Sequence, residues 1–270
     1  MPEHPTGRFA IGLLAARRRV AGPRTVGWLA AVLFAIISTA SAAQAAQVPA
    51  PDPSQGDGGV SPCYTWAGDI PDGAGHLLRT EPLDTAHGLS MAGDQFRILY
   101  TSTDGIDGKT PVVVSGAYFV PKGTPPAGGW PLVAWAHGTT GVADTCAPSW
   151  QPRSVRDATY LNAWLEQGFA IAATDYQGLG TPGPHPYLAV RPEAYSVLDS
   201  VRAVLKGFPN VANQIVIIGQ SQGAQAAFST AGFAPNYAPE LAIRGTVATG
   251  LPFLGAVAPR PAAGNAPPSP

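Results

Sequence analysis

A mixed α/β fold on a mostly parallel sheet, flanked by helices, is the architecture this sequence predicts, and three observations predict it. Short apolar or β-branched runs recur at residues 132–136, 169–174, 214–218 and 244–250. Segments with apolar residues at helical spacing lie between them. One run, Gln214-Ile215-Val216-Ile217-Ile218, passes through Gly219-Gln220-Ser221-Gln222-Gly223 straight into the small-residue, helix-forming stretch Ala224-Gln225-Ala226-Ala227-Phe228. Strands that alternate with helices pack as a parallel sheet with the helices on its faces.

The elements follow in order. Phe96 to Tyr100 and Val112 to Val120 read as strands around the turn Asp104-Gly105-Ile106-Asp107-Gly108, a hairpin that opens the sheet. Gly128-Gly129-Trp130-Pro131 leads into a third strand, Leu132 to Ala136. An irregular loop through Pro152 precedes a helix from Val155 to Gln167, with Leu161, Trp164 and Leu165 on one face and Gly168 as the residue that ends it. Phe169 to Thr174 is the fourth strand, and Asp175 to Pro186 a long Gly/Pro-rich loop. Pro192 suits the first position of the next helix, which carries Tyr195, Leu198, Val201 and Leu205 at helical spacing. Arg244 to Gly250 is the strand after the elbow. Residues Cys63 to Gly93 show no convincing period. Trp130, Trp135 and Trp164 are expected in the core, and Asp199 with Arg202 as a helical ion pair.

Length and composition fit one globular domain with a real core. The net charge is −1 and only 12% of residues are charged, so neither nucleic acid nor an anionic surface is an expected partner. The N-terminal 46 residues read as an export signal: Arg8, Arg17, Arg18, Arg19 and Arg24 precede an apolar run from Val26 to Ala40, and Ala43-Gln44-Ala45 offers small-residue cleavage. The apolar run is short for a full membrane span. Residues 47–62 read as a flexible leader, 63–254 as the folded domain, and 255–270 as a Pro/Ala-rich disordered tail. Cys63 and Cys146 are the two cysteines, and in an exported protein they either bridge each other, the reading taken here, or stay unpaired. Two cysteines without a histidine cluster make no metal site.

The chemistry centres on Ser221. A G-x-S-x-G sequence between a strand and a helix forms a sharp turn that lifts the serine hydroxyl above the sheet as a nucleophile. Acyl transfer also needs donors for the developing oxyanion. The N–H of Gln222, reinforced by the helix N-terminus, supplies one. The second comes from His137-Gly138-Thr139-Thr140-Gly141 after the third strand, with Thr139 chosen through its N–H and hydroxyl. Gly138, Tyr176 and His185 are candidates for the substrate pocket. His137 reads as a loop-orienting residue, and Asp175 as an acceptor for backbone N–H groups of its own turn. Hydrolases of this type order their triad Ser, then Asp or Glu, then His. Here His4, His76, His87, His137 and His185 all precede Ser221, and Glu240 is the acid that follows it.

Four segments together carry a resemblance: Trp135-Ala136-His137-Gly138-Thr139-Thr140-Gly141, Cys146-Ala147-Pro148-Ser149, Asp175-Tyr176-Gln177-Gly178-Leu179-Gly180 and Gly219-Gln220-Ser221-Gln222-Gly223. They resemble the secretory lipase family of α/β-hydrolases over roughly residues 63 to 254. The resemblance implies an exported serine hydrolase of carboxylic esters, acylglycerols included, that needs no cofactor, and it leaves a lipid interface open as a partner. It makes Ser221 the nucleophile and Gln222 with Thr139 the oxyanion hole. The chain departs from the family after about Phe253, where the acid, the histidine, the last strands and the lid region would follow, so an impaired hydrolase is expected. A non-catalytic protein that binds lipid or a partner, and a polyester or aryl esterase, are the alternatives.

Overall fold

The computed structural model describes residues 49–252, so the expected signal segment 1–46 and tail 255–270 lie outside the described residues. Seven strands form one sheet in the order β1-β2-β3-β5-β4-β6-β7. They are β1 (Leu77–Pro82), β2 (Ala92–Thr103), β3 (Pro111–Pro121), β4 (Trp130–Ala136), β5 (Ala170–Thr174), β6 (Val211–Gln220) and β7 (Ile243–Thr249). The β1–β2, β2–β3 and β3–β5 pairings are antiparallel, and β5–β4, β4–β6 and β6–β7 are parallel. The parallel half carries the site. Its strands are joined by α1 (Val155–Glu166), α2 (Val190–Gly207) and α3 (Gln222–Tyr237).

Alternation along the central strands sorts the core into two layers, because successive side chains leave opposite faces of a strand. Leu132, Ala134, Ile215 and Ile217 pack with Val197, Val201 and Val204 of α2 and Ala226, Ala227 and Ala234 of α3. Val133, Trp135, Ile171 and Ile218 pack on the opposite face with Leu161 and Leu165 of α1. The near-continuous apolar runs in the sequence reflect this burial on both faces. Trp130 and Trp135 are buried and Trp164 packs at the core margin. Local chemistry sets the ends of α1. Ser154 Oγ accepts the Asp157 N–H at 3.1 Å, and Gly168 takes the left-handed conformation, φ +78°, beyond Gln167.

Three expectations are corrected. The stretch Cys63 to Gly93 contains β1, an edge strand whose mixed residues lack a period because pairing with β2 holds it. Pro192 stands at the third helical position, after Val190 and Arg191, where its missing N–H still costs no helical bond. Within residues 52–62, Asp57 and Gly58 are held against the domain rather than free, while Asp52 to Gln55 are exposed. Asp57 is buried, Gly58 N donates to Asp144 Oδ2 at 2.6 Å, and Gly183 N donates to Asp57 Oδ2 at 3.1 Å. The expected Asp199–Arg202 pair forms at 2.9 Å, but Asp199 is fully buried and also accepts from Ser102 and Tyr237, so it ties α2 to β2 and α3.

Candidate active site

The parallel pairing of β4 with β6 sets Ala136 beside Gly219, so the two turns that leave these strands emerge together. Ser221 has φ +58° and ψ −121°, a conformation that costs a non-glycine residue about 1–3 kcal/mol. Its N–H donates to Thr249 O at 3.0 Å and its C=O accepts from Ala224 N at 2.9 Å, so β7 and α3 hold the turn. The glycines at either end are packing requirements. A Cβ on Gly219 would strike the carbonyl of Gly223, and a Cβ on Gly223 would strike that of Ala136. A Ser221→Gly variant is expected to be more stable by about 1 kcal/mol in urea unfolding, since the strain disappears and only part of the gain is lost to chain entropy. Unchanged or lower stability would mean that the turn holds no strain.

The opposite wall comes from His137-Gly138-Thr139. Gly138 adjoins the elbow, where a Cβ would stand 3.7 Å from Ser221 Cβ. His137 is buried, and burial pulls its pKa down to about 4, so the ring is neutral at pH 7. Its Nδ1 faces Gly138 O at 2.7 Å and its Nε2 faces Asp175 O at 3.1 Å. A neutral imidazole carries one N–H, so one of these bonds is made at a time and neither nitrogen faces Ser221. The Tyr176 hydroxyl donates to His137 O at 3.0 Å. Thr139 is exposed, and its hydroxyl shares a 3.0 Å hydrogen bond with Tyr187. A cavity of about 740 Å³ opens between the two turns and is lined by Ser221, Gly138, Thr139, Cys146, Arg153 and Arg156 among others.

Gln222 opens α3, so its N–H is one of the first-turn donors without a helical acceptor. Its side chain turns away from the cavity: Nε2 donates to Glu193 Oε1 at 2.8 Å and lies 3.2 Å from His185 Nε2. Tyr176 and His185, expected at the substrate pocket, are not on the wall of this cavity. Tyr176 is fully buried behind the His137 turn, and His185 is half-buried between Gln177 O and Gln222. Cys63 and Cys146 are both free, which corrects the expected Cys63–Cys146 bond. Cys146 Sγ is directed at Gly141, where the absence of a side chain leaves room for it.

Asp175 does not cap its own turn. Its fully buried carboxylate accepts from Ser115 Oγ at 2.7 Å, Ser149 N at 2.9 Å and Ser149 Oγ. Burial raises its pKa, while the serine hydrogen bonds and the nearby Arg153 guanidinium oppose the rise. Sequence reasoning missed Glu193, Tyr187 and Arg153. Glu193 stands in the first turn of α2, where an acidic residue reads as ordinary helix-dipole chemistry, so it carried no separate signal.

Residues 153–259 match the secretory lipase family model, a stretch that spans α2, the elbow and β7. This segment is where the chain is similar to that family, and it covers less than half of the chain. Candida albicans lipase 7 is 35% identical over 102 residues, covering 36% of this chain and 23% of the relative. Candida albicans lipase 4 is 36% identical over 110 residues with the same two coverages. The matched stretch of this chain thus spans under a quarter of the length of these relatives. Among solved structures, Candida antarctica lipase A in its closed state superposes with a TM-score of 0.57 at 22% identity, over 73% of this chain and 46% of that one. The ligand-bound rice cell wall degrading esterase LipA from Xanthomonas oryzae gives 0.52 at 24% identity, over 65% and 50%. These likenesses show the α/β-hydrolase fold.

Proposed function

We propose that this chain carries the nucleophile and oxyanion hole of a secreted carboxylic-ester hydrolase of the lipase or esterase type. One observation carries the reading: Ser221, strained at the elbow, shares a cavity with the Gly138-Thr139 turn. Ser221 Oγ would attack the ester carbonyl to form an acyl-enzyme, which water then hydrolyses. The Gln222 N–H, with the N-terminus of α3 behind it, and the N–H of Thr139 flank the developing oxyanion. The relatives are named lipases, which supports acylglycerols as the substrate class, and the esterase neighbour keeps other esters in view. The basic and apolar residues before Ala46 support export through a cleaved signal.

Turnover by this chain is proposed to be low, because no described histidine offers its ring to Ser221. His137 has its nitrogens against Gly138 and Asp175, His185 against Gln177 and Gln222, His87 pairs with Asp84, and His76 stands directly before β1 at the far edge of the sheet. An elbow and oxyanion hole without a base keep a small part of the full rate. The same observation favours a second reading, a fold that binds lipid or a partner without catalysis.

Labelling with a fluorophosphonate, read by peptide mass spectrometry, separates the two. We expect slow modification at Ser221 and none in Ser221→Ala. No label above the alanine control would leave the binding reading. In parallel, wild type is expected to hydrolyse p-nitrophenyl butyrate within about tenfold of Ser221→Ala. A difference of several hundredfold would mean that a base does reach Ser221.

A further inference from the structure

The loop from β5 to α2 touches both walls of the oxyanion site, although the three segments lie far apart in the sequence. At its start, Tyr176 adopts φ +74° and its hydroxyl holds His137 O. Near its end, the Tyr187 hydroxyl bonds Thr139 Oγ1 at 3.0 Å. Leu188, with φ +58°, accepts from Gln225 Nε2 at 2.7 Å and donates its N–H to Glu193 Oε1 at 3.1 Å. Two bulky residues in the left-handed region persist only where their surroundings over-determine them.

At Gln222 the amide nitrogen has both its partners, while the oxygen Oε1 has none among the described residues. His185 Nδ1 lies 2.8 Å from Gln177 O, which must accept, so Nδ1 carries the proton and Nε2 presents a lone pair. Gln222 Nε2 has two protons and meets two acceptors, His185 Nε2 and Glu193 Oε1. Flipping the amide would set its oxygen against both. The residue next to the nucleophile is therefore locked in one orientation, and the lock needs an acceptor at Glu193.

Glu193 is fully buried, and its second oxygen, Oε2, has no partner among the described residues. A buried carboxyl left half-satisfied is costly, and an apolar side chain of similar size would often serve stability as well. Oε1 accepts from both the Leu188 N–H and Gln222 Nε2, so the one carboxyl oxygen ties the loop end to the residue after Ser221.

We propose that Glu193 is a positioning residue for the oxyanion hole, and that through Gln222 and the 176–188 loop it fixes the elbow relative to the Thr139 turn before substrate arrives. The proposal rests on the reading of Ser221 and Gln222 given above.

The test uses the full chain and butaneboronic acid, which forms a tetrahedral adduct with an active serine. Boron-11 NMR at pH 8 would give its dissociation constant, and hydrogen exchange would follow peptides 137–141 and 219–226. Glu193→Leu is expected to weaken the adduct about tenfold, the scale of one misplaced donor, and to speed exchange in both peptides. Glu193→Gln, which keeps the acceptor oxygen, should restore both. A folded Glu193→Leu protein with wild-type adduct affinity and exchange would overturn the proposal. So would faster exchange confined to 219–226, because the link to the Thr139 turn would then be absent. Should Glu193→Leu fail to fold, Tyr187→Phe removes one exposed hydroxyl, and unchanged exchange at 137–141 in that variant overturns the brace. If wild type shows no tetrahedral boron, the Ser221 reading fails by itself, and the exchange measurements still decide the brace.

Discussion

Gly223→Ala is expected to cost the fold about 4 kcal/mol or more in urea unfolding. The added Cβ would sit 2.6 Å from the Ala136 carbonyl carbon and 2.7 Å from the His137 carbonyl oxygen, and closer still to the Ala136 oxygen. All three are backbone atoms. They belong to β4 and to the turn after it, and β4 is pinned by parallel pairing to β5 on one side and β6 on the other. No rotamer change relieves the clash, so α3 must lift from the sheet and carry Gln222 with it. Labelling of Ser221 should vanish together with the stability. A variant that unfolds at the wild-type urea midpoint and still accepts the fluorophosphonate would show that the first turn of α3 is free to move.

Asp175→Ala should rank second, with a loss of about 3–5 kcal/mol, the range for removing one partner from a buried charged network. Three donors, Ser115 Oγ, Ser149 N and Ser149 Oγ, would lose their acceptor together. The Arg153 guanidinium, whose Nε and Nη2 already have no partner among the described residues, would lose a counter-charge. The damage should reach the site, since Tyr176 follows directly and holds His137 O. The measurement is urea unfolding beside Ser149→Ala, which removes one hydroxyl and should cost far less, about 1 kcal/mol. Equal losses in the two variants would make Asp175 an ordinary hydrogen-bonded residue and sink this account.

The features legible in the sequence are those whose cause is local. Gln214 to Phe228 announces strand, turn and helix because each propensity acts within a few residues, and the small flanking glycines mark where backbone must pass backbone. The hairpin around Asp104 to Gly108 and the helix from Val155 were readable for the same reason. By contrast β1, with Arg79, Thr80 and Glu81 in its middle, has no pattern of its own. Its register against Ile98 and Leu99 is what makes it a strand. The leader residues likewise look soluble and mobile until Asp144 and Gly183 meet Gly58 and Asp57.

Taken alone, the sequence determined the fold class, the serine elbow and the turn that faces it, because an elbow and a Gly-rich strand end are written in consecutive residues. Only the tertiary structure decided that the two cysteines stay apart, that Asp175 is a hub for Ser115 and Ser149, and that Glu193, His185 and Tyr187 converge on Gln222 and Thr139. Those contacts join residues 26 to 60 positions apart. Hydrogen bonds over such separations depend on where the sheet sets each loop, and propensity carries no information about that.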